Sequence, residues 1–297
     1  MHTDDIKKIE GKVLGQRISH PEKYDPTILV AVPRKPNRDI YNISSPADIF
    51  IGIDTWHAFE LSFLTNNGLP VAGVAKITYD CNTPNLVESK SLKLYLNSFN
   101  MTRLGNSAKE GIDIIKSTIV ADLTKTVGGD VNIEIFISDD STDIEYHNFQ
   151  VIENQNNIDN IIFDAFEESP ELLEILKKEE SSEHLLMSNV LRSNCKITHQ
   201  PDWGTVFIRY SGLKEVSQES LLKYLVSFRN ENHFHEEVCE MIFKRLYDKL
   251  SPDDLMVTCV FTRRGGIDIC PSRSTRKDWM FRNLTDCKVL TSKLLRQ

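Results

Sequence analysis

No apolar run in this 297-residue chain reaches the roughly 20 consecutive residues that a bilayer-spanning helix needs, so no membrane span is expected. The opening stretch MHTDDIKKIEGK holds neither an apolar core nor a small-residue cleavage site, which argues against a secretory signal. Six cysteines, at 81, 195, 239, 259, 270 and 287, include no CxxC pair; they read as reduced thiols of a cytoplasmic chain, not as a disulfide framework. A basic excess is also missing. With a formal net charge of −8 the chain lacks the footprint that grips a phosphate backbone, so direct nucleic acid binding is not expected. Neither GxGxxG after a strand nor GxxxxGK[ST] occurs, so any dinucleotide is bound without a Rossmann fingerprint. What remains is ordinary globular composition, 40% hydrophobic and 26% charged, enough for one large core or two smaller ones.

The pattern along the chain predicts α+β architecture in two related halves. Prolines at 21, 26, 33, 36 and 46 make the first fifty residues an extended lead-in. Phe59, Leu61 and Phe63 alternate with polar residues before an Asn66-Asn67-Gly68 turn, a hairpin signal. A helix is expected over Ser91 to Asn100. Another should start at Ser107, capped through Glu110 and ended by Gly128-Gly129, before a strand from Val131. From Asp139 to Glu183 the chain turns acidic and reads as a connection carrying some helix. The same element order then returns: a strand from Thr205, helices from Gln218 and Phe234, a strand at Leu255 to Phe261, a turn at Arg263-Arg264-Gly265-Gly266. YLNSFN at Tyr95 to Asn100 lies over YLVSFR at Tyr224 to Arg229 with four of six positions matching. The boundaries read from this are 1–138, 139–183 and 184–297.

Cys195 stands in SNCKITHQPDWG, a polar stretch predicted to be a loop, where a thiol can ionise and attack an electrophile. Cys259 falls on the apolar parity of its strand and reads as packing. Asp202 reaches Cys195 only if the loop folds back, in which case it could pass a proton to a substrate held on sulfur. His235 and Glu236 open a helix and could border one pocket, the carboxylate accepting paired N–H donors from a purine-like edge. Each has a plainer reading, as a packing cysteine, a turn cap or a first-turn glutamate. His233, His235 and Cys239 could in principle ligate zinc, though no further ligands cluster with them. Glu88-Ser89-Lys90-Ser91 marks a helix start suited to a polar ligand or phosphate, or to plain capping, and Arg263 to Gly266 could hold a phosphate or be an exposed turn.

The string VESKSLKLYLNSFN from Val87 to Asn100 resembles the signature of the NADPH-dependent 7-cyano-7-deazaguanine reductases. SNCKITHQPDWG, LVSFRNENHFHEE and TRRGG resemble further stretches of that family in the same order, and YDPTILVAVPRKPNR with WHAFELSFL resembles its long, two-module form. The resemblance implies tandem tunnelling-fold modules, antiparallel sheets each backed by a helix pair, assembling as a homodimer. It implies NADPH-dependent reduction of the nitrile to the aminomethyl base on the route to queuosine. Cys195 would be the nucleophile forming a thioimide, Asp202 the proton donor and His235 its assistant. Val87, Glu88, Ser89, Phe234, His235 and Glu236 would hold the deazaguanine, and Ser89, Lys90, Arg264 and Gly265 the NADPH; no metal is implied. Phe59, Phe63 and Cys270-Pro271 depart from the usual pattern at positions that touch packing. Two other readings stand beside this one: a zinc-dependent cyclohydrolase of the same fold, and a catalytically silent purine binder.

Overall fold

The computed structural model describes residues 23–138, 141–154 and 158–294, so the opening stretch lies outside the described residues. The chain is α+β. It runs β1 (Ala31–Pro33), α1 (Lys35–Ile40), β2 (Ile51–Leu64), β3 (Pro70–Asp80), β4 (Asn85–Val87), α2 (Ser89–Asn97), α3 (Ala108–Val127) and β5 (Val131–Phe136). There follow β6 (Gln150–Val151), β7 (Ile175–Cys195), β8 (Pro201–Val216), α4 (Gln218–Ser227), β9 (Asn232–His233), α5 (His235–Leu250), β10 (Asp254–Phe261), β11 (Ile267–Ser274) and α6 (Arg282–Thr285). Among the described residues no helix is long and apolar enough to cross a membrane.

Among the described residues nine strands form one sheet in the order β5-β3-β2-β11-β10-β8-β7-β6, with β9 beside β7. Its middle joint is the antiparallel pair of β11 with β2, registered from Ile267↔Ala58 to Ser274↔Ile51. The last strand of the second half therefore pairs directly with β2, the first strand that the first half gives to this sheet. Both helix pairs cover the same face of the sheet, because residues opposite each other across a ladder share a face. Trp56, Ile77, Ile115, Ile119, Leu123 and Ile269 belong to the core under α2 and α3. Ile208, Leu222, Val238, Met241, Val257 and Cys259 belong to the core under α4 and α5. On the opposite face Met187, Phe207, Met256, Cys270, Trp279 and Leu284 form a smaller cluster.

The internal repeat has a structural counterpart. Tyr95 and Phe99 meet edge to face with centroids 5.4 Å apart, and Tyr224 and Phe228 do the same at 5.4 Å. The Ser98 and Ser227 hydroxyls each donate to the carbonyl of the tyrosine three residues earlier, at 2.6 and 2.7 Å. Each tyrosine hydroxyl then donates to a carboxylate, Asp122 at 2.7 Å and Glu168 at 3.1 Å.

Four local expectations are corrected. The proline-rich lead-in is not all extended: Pro36 sits in the first turn of α1, where the missing N–H breaks no helical bond, and Pro26 and Pro46 open 3₁₀ turns. The acidic connection forms 3₁₀ turns among its described residues, and from Ile175 it is already strand, paired with β8 from Ile175↔Val216. A register shift between Ala58 and Leu61 breaks the alternation in β2. Leu61 and Phe63 are buried in the core while Phe59 lies beside His57, 6.3 Å between ring centroids, as a bulge that re-aims side chains requires. In the Ser107 cap, Glu110 Oε2 accepts from Asn106 N, one residue before the expected partner.

Gly52 lies opposite Arg273 across the β11–β2 joint. A Cβ at Gly52 would sit 2.8 Å from Arg273 Cδ. Gly52→Ala is therefore expected to lower stability by about 1–3 kcal/mol through overpacking, read as a lower denaturation midpoint. A midpoint equal to wild type would contradict this close approach.

Candidate active site

The β7–β8 hairpin does the folding back that the sequence required. Cys195 is the last residue of β7; its N–H donates to Gln200 O at 2.8 Å and its carbonyl accepts from His199 N at 2.9 Å. His199 takes the left-handed φ of 54° that closes so short a turn. Ser193↔Asp202 is a registered pair, so Cys195 and Asp202 point to the same face as diagonal neighbours, about 7–8 Å apart between backbones. The expected polar loop is thus a strand end, and Cys195 is buried at 6% exposure.

β9 runs parallel to the end of β7, with Cys195↔His233 in register, and leads straight into α5. This sets Phe234, His235 and Glu236 beside the cysteine. Phe234 N donates to Glu237 Oε2 at 3.1 Å, fixing the helix start. The Phe234 ring packs with Val32 of β1 and Leu86 of β4, with Ile197 of the hairpin against them. Through this small apolar cluster the first half delivers Val87, Glu88 and Ser89 to the second. One chain therefore brings the two sets of predicted residues together.

Asp202 is buried. Arg264 Nη1 stands 3.2 Å from its Oδ1 and His235 Nε2 3.7 Å from the same oxygen, while Oδ2 has no partner among the described residues. Burial pushes its pKa up to about 6, with Arg264 opposing. His235 is held down to about 3, by burial first and by Arg264 second, so its imidazole is neutral. Its ring stands edge to face on Phe261 at 4.3 Å. Glu236 is 1% exposed and its Oε1 has no hydrogen-bond partner among the described residues. Burial, with Asp54 adding repulsion and Arg34 opposing, pushes it up to about 8.

Glu88 performs the capping role weighed for it: its carboxylate accepts from Lys90 N at 3.0 Å and Ser91 N at 2.6 Å. Burial raises its pKa while these amides and Lys90 oppose. A cavity of about 310 Å³ lies between the halves, lined by Ser89, Lys90 and Lys93 on one side and Gln200, His235 and Arg264 on the other. Lys93 was missed in the sequence, although it follows Lys90 by three residues and so shares its helix face. Gly265 takes a φ of 62°, and a Cβ there would strike the Lys93 ammonium group. Arg263 turns away and stacks its guanidinium on Phe59 at 4.6 Å.

The zinc alternative is not assembled. His233 Nε2 lies 3.0 Å from Glu231 Oε2 and Nδ1 3.3 Å from Glu237 Oε2. Burial opposes its ionisation, yet these two carboxylates outweigh it and raise its pKa. Cys239 Sγ lies 3.5 Å from the carbonyls of Val257 and Pro271, inside the apolar core. Among the described residues, the grouping with ligand-like spacing is His57, Asp268 and Cys270. Asp268 and Cys270 alternate with Ile267 and Ile269, which line the cavity, and so face the other side of the sheet.

The Asp202 environment makes a stability prediction with a definite sign. Its folded pKa, about 6, exceeds the ordinary aspartate value of 3.8, so the folded state holds the proton more tightly. The stability this contributes is complete below pH 4 and lost as pH rises through about 6. Asp202→Asn should then stabilise the protein above pH 7, by up to roughly 3 kcal/mol, with the gain shrinking toward pH 4. Denaturation midpoints that differ by the same amount at pH 4 and pH 8 would contradict the buried carboxyl.

Comparison with known proteins bears on this arrangement. Residues 20–135 match the family described as nitrile reductase, 7-cyano-7-deazaguanine-reductase N-term, and residues 201–279 match the family described as QueF-like protein. The NADPH-dependent 7-cyano-7-deazaguanine reductases of Acinetobacter baumannii strains AYE and ACICU are each 40% identical over 275 residues, 92% of this chain and 96% of theirs. The solved archaeosine synthase QueF-Like in the apo form covers 34% of this chain and 91% of its own at 19% identity, with a TM-score of 0.27, too slight a likeness to bear on the fold. Two family matches and 40% identity along nearly the whole length establish that the chain belongs to the NADPH-dependent 7-cyano-7-deazaguanine reductases.

Proposed function

We propose that the protein reduces the nitrile of 7-cyano-7-deazaguanine to the primary amine of 7-aminomethyl-7-deazaguanine through a covalent adduct on Cys195. The observation that carries this reading is the convergence of Cys195, Asp202 and His235 beside a cavity closed on its far side by Ser89, Lys90 and Lys93. The reaction belongs to queuosine formation in the cytoplasm. The chain works as a homodimer of tandem tunnelling-fold modules, divided as 1–138, 139–183 and 184–297. The repeated tyrosine–phenylalanine pairs under α2 and α4 support two related modules.

The lining residues suit NADPH. Lys90, Lys93 and Arg264 supply cationic and bidentate donors for phosphate, and Gly265 leaves the space that a side chain would fill. Bound NADPH supplies hydride, two equivalents for each nitrile taken to the amine. Everything else falls to the chain. The Cys195 sulfur adds to the nitrile carbon while its proton passes to nitrogen, which gives the thioimide. As that carbon accepts hydride, Asp202 gives a proton to nitrogen; the raised pKa keeps part of the carboxyl protonated near neutrality. Collapse breaks the C–S bond, restores the thiolate and leaves an imine, the extra proton on its nitrogen returning to the Asp202 carboxylate. A second hydride and proton complete the amine. Neutral His235, 3.7 Å from Asp202, can relay a proton to it between the two rounds by taking one on one ring nitrogen as it gives up another. Val87 and Phe234 wall the base, Glu236 offers its free oxygen to the base's N–H donors, and Glu88 adds the lone pairs its capping bonds leave over. Enclosure protects the imine from water.

Two NADPH should be oxidised per nitrile by wild-type protein and none by Cys195→Ala, followed by loss of NADPH absorbance. The rate should also fall as pH rises above about 6, where Asp202 loses its proton. A stoichiometry of one, or a profile flat from pH 5 to 9, would overturn this assignment of roles.

A further inference from the structure

Behind Glu236 the two halves bury an arginine–carboxylate network. Arg273 Nη1 lies 2.8 Å from Asp54 Oδ1, and its Nη2 2.9 Å from Glu240 Oε1. Arg38 binds both oxygens of Glu240, at 2.7 and 2.9 Å. Arg34 Nη2 meets Asp54 Oδ2 at 2.5 Å, and its Nε donates to Thr83 O at 3.0 Å. Three guanidiniums thus face two fully engaged carboxylates, and one positive charge is left over.

Among the described residues, Arg34 Nη1 and Glu236 Oε1 are buried here without a partner, as is the hydroxyl of Tyr79, whose largest charged influences are Glu236, Asp54 and Arg34. Nη1 stands 4.0 Å from Glu240 Oε1, beyond hydrogen-bond range. Both residues are nearly inaccessible, Arg34 at 3% and Glu236 at 1%. The cluster of Val32 with Phe234 brings them close, since each lies two residues beyond one of that pair. Asp54 and Arg34 are also the two largest charged influences on Glu236. Leaving a cationic donor and a carboxyl oxygen unmet in one buried place is costly unless something arrives to meet both.

A guanine-type base presents the complementary edge, a lactam carbonyl that accepts beside N–H groups that donate. We propose that Arg34 is a specificity-determining residue, its Nη1 donating to the lactam oxygen while Glu236 Oε1 accepts from the adjoining N–H. This rests on the reading of the substrate given above. It assigns a function to the first half's lead-in segment, far in sequence from the cysteine. The spare guanidinium charge compensates the Glu236 carboxylate once the base's donors are in place.

The test compares 7-cyano-7-deazaguanine with the same nitrile lacking the lactam oxygen, in wild-type protein and in Arg34→Lys, which keeps the charge against Asp54 but loses the second amino group. Wild type should favour the lactam compound by roughly 10- to 100-fold in KM, and Arg34→Lys should lose most of that preference while kcat changes little. Equal KM values for the two compounds in wild type would overturn the proposal without any variant. An Arg34→Lys protein that keeps the preference, or loses affinity for both compounds alike, would show Arg34 to be structural only. Wild-type protein that reduces neither compound would overturn the functional reading and this assignment together.

Discussion

Eight consecutive residue pairs between β11 and β2 hold the halves in one sheet, and the candidate site depends on that joint. Without it, the Glu-Ser-Lys helix start and the cysteine hairpin would belong to separate bodies. With it, both helix pairs share one face, and the starts of α2 and α5 open toward the same cavity. The joint also carries charge. Arg273 leaves β11 across the bare Cα of Gly52 to reach Asp54 and Glu240, tying strand to strand and strand to helix.

Such a buried network is expensive to assemble and weak evidence for stability in itself. Burial resists ionisation of Asp54 and Glu240, but arginines on each outweigh it and hold both below the usual carboxylate range. Glu236, Asp202 and Glu88 differ: for each of them burial prevails and the pKa rises. The five carboxylates therefore separate into a structural pair that stays charged and three whose burial favours the protonated form. That separation follows from where the guanidiniums go, and the geometry of the joint decides it.

Much of this was legible in the sequence where the signal is local. The turn residues, the Ser107 cap, the alternating strands and the YLxSF repeat each depend on neighbours in the chain, and each was read with small errors of boundary. The candidate residues near Cys195 were legible only through motif resemblance, because spacing could not say whether Asp202 folds back. The strand within the acidic stretch was hidden, since partners on β8 decide it and its own charges argue against it. The bulge at Phe59 was hidden for a similar reason: one extra residue inverts a face without changing composition. Arg34, Asp54 and Arg273 gave no signal at all, being scattered along the chain and united only by the β11–β2 register.

On the proposed reading, one thiol among six becomes the nucleophile because the hairpin sets it beside Asp202 and the cavity. Intact-mass and peptide mass spectrometry of the protein incubated with 7-cyano-7-deazaguanine alone, without NADPH, tests this most directly. One added mass of the nitrile per chain, located on the peptide carrying Cys195 and absent from Cys195→Ala, is the predicted result. No adduct at saturating nitrile, or an adduct on any of the other five cysteines, would contradict it.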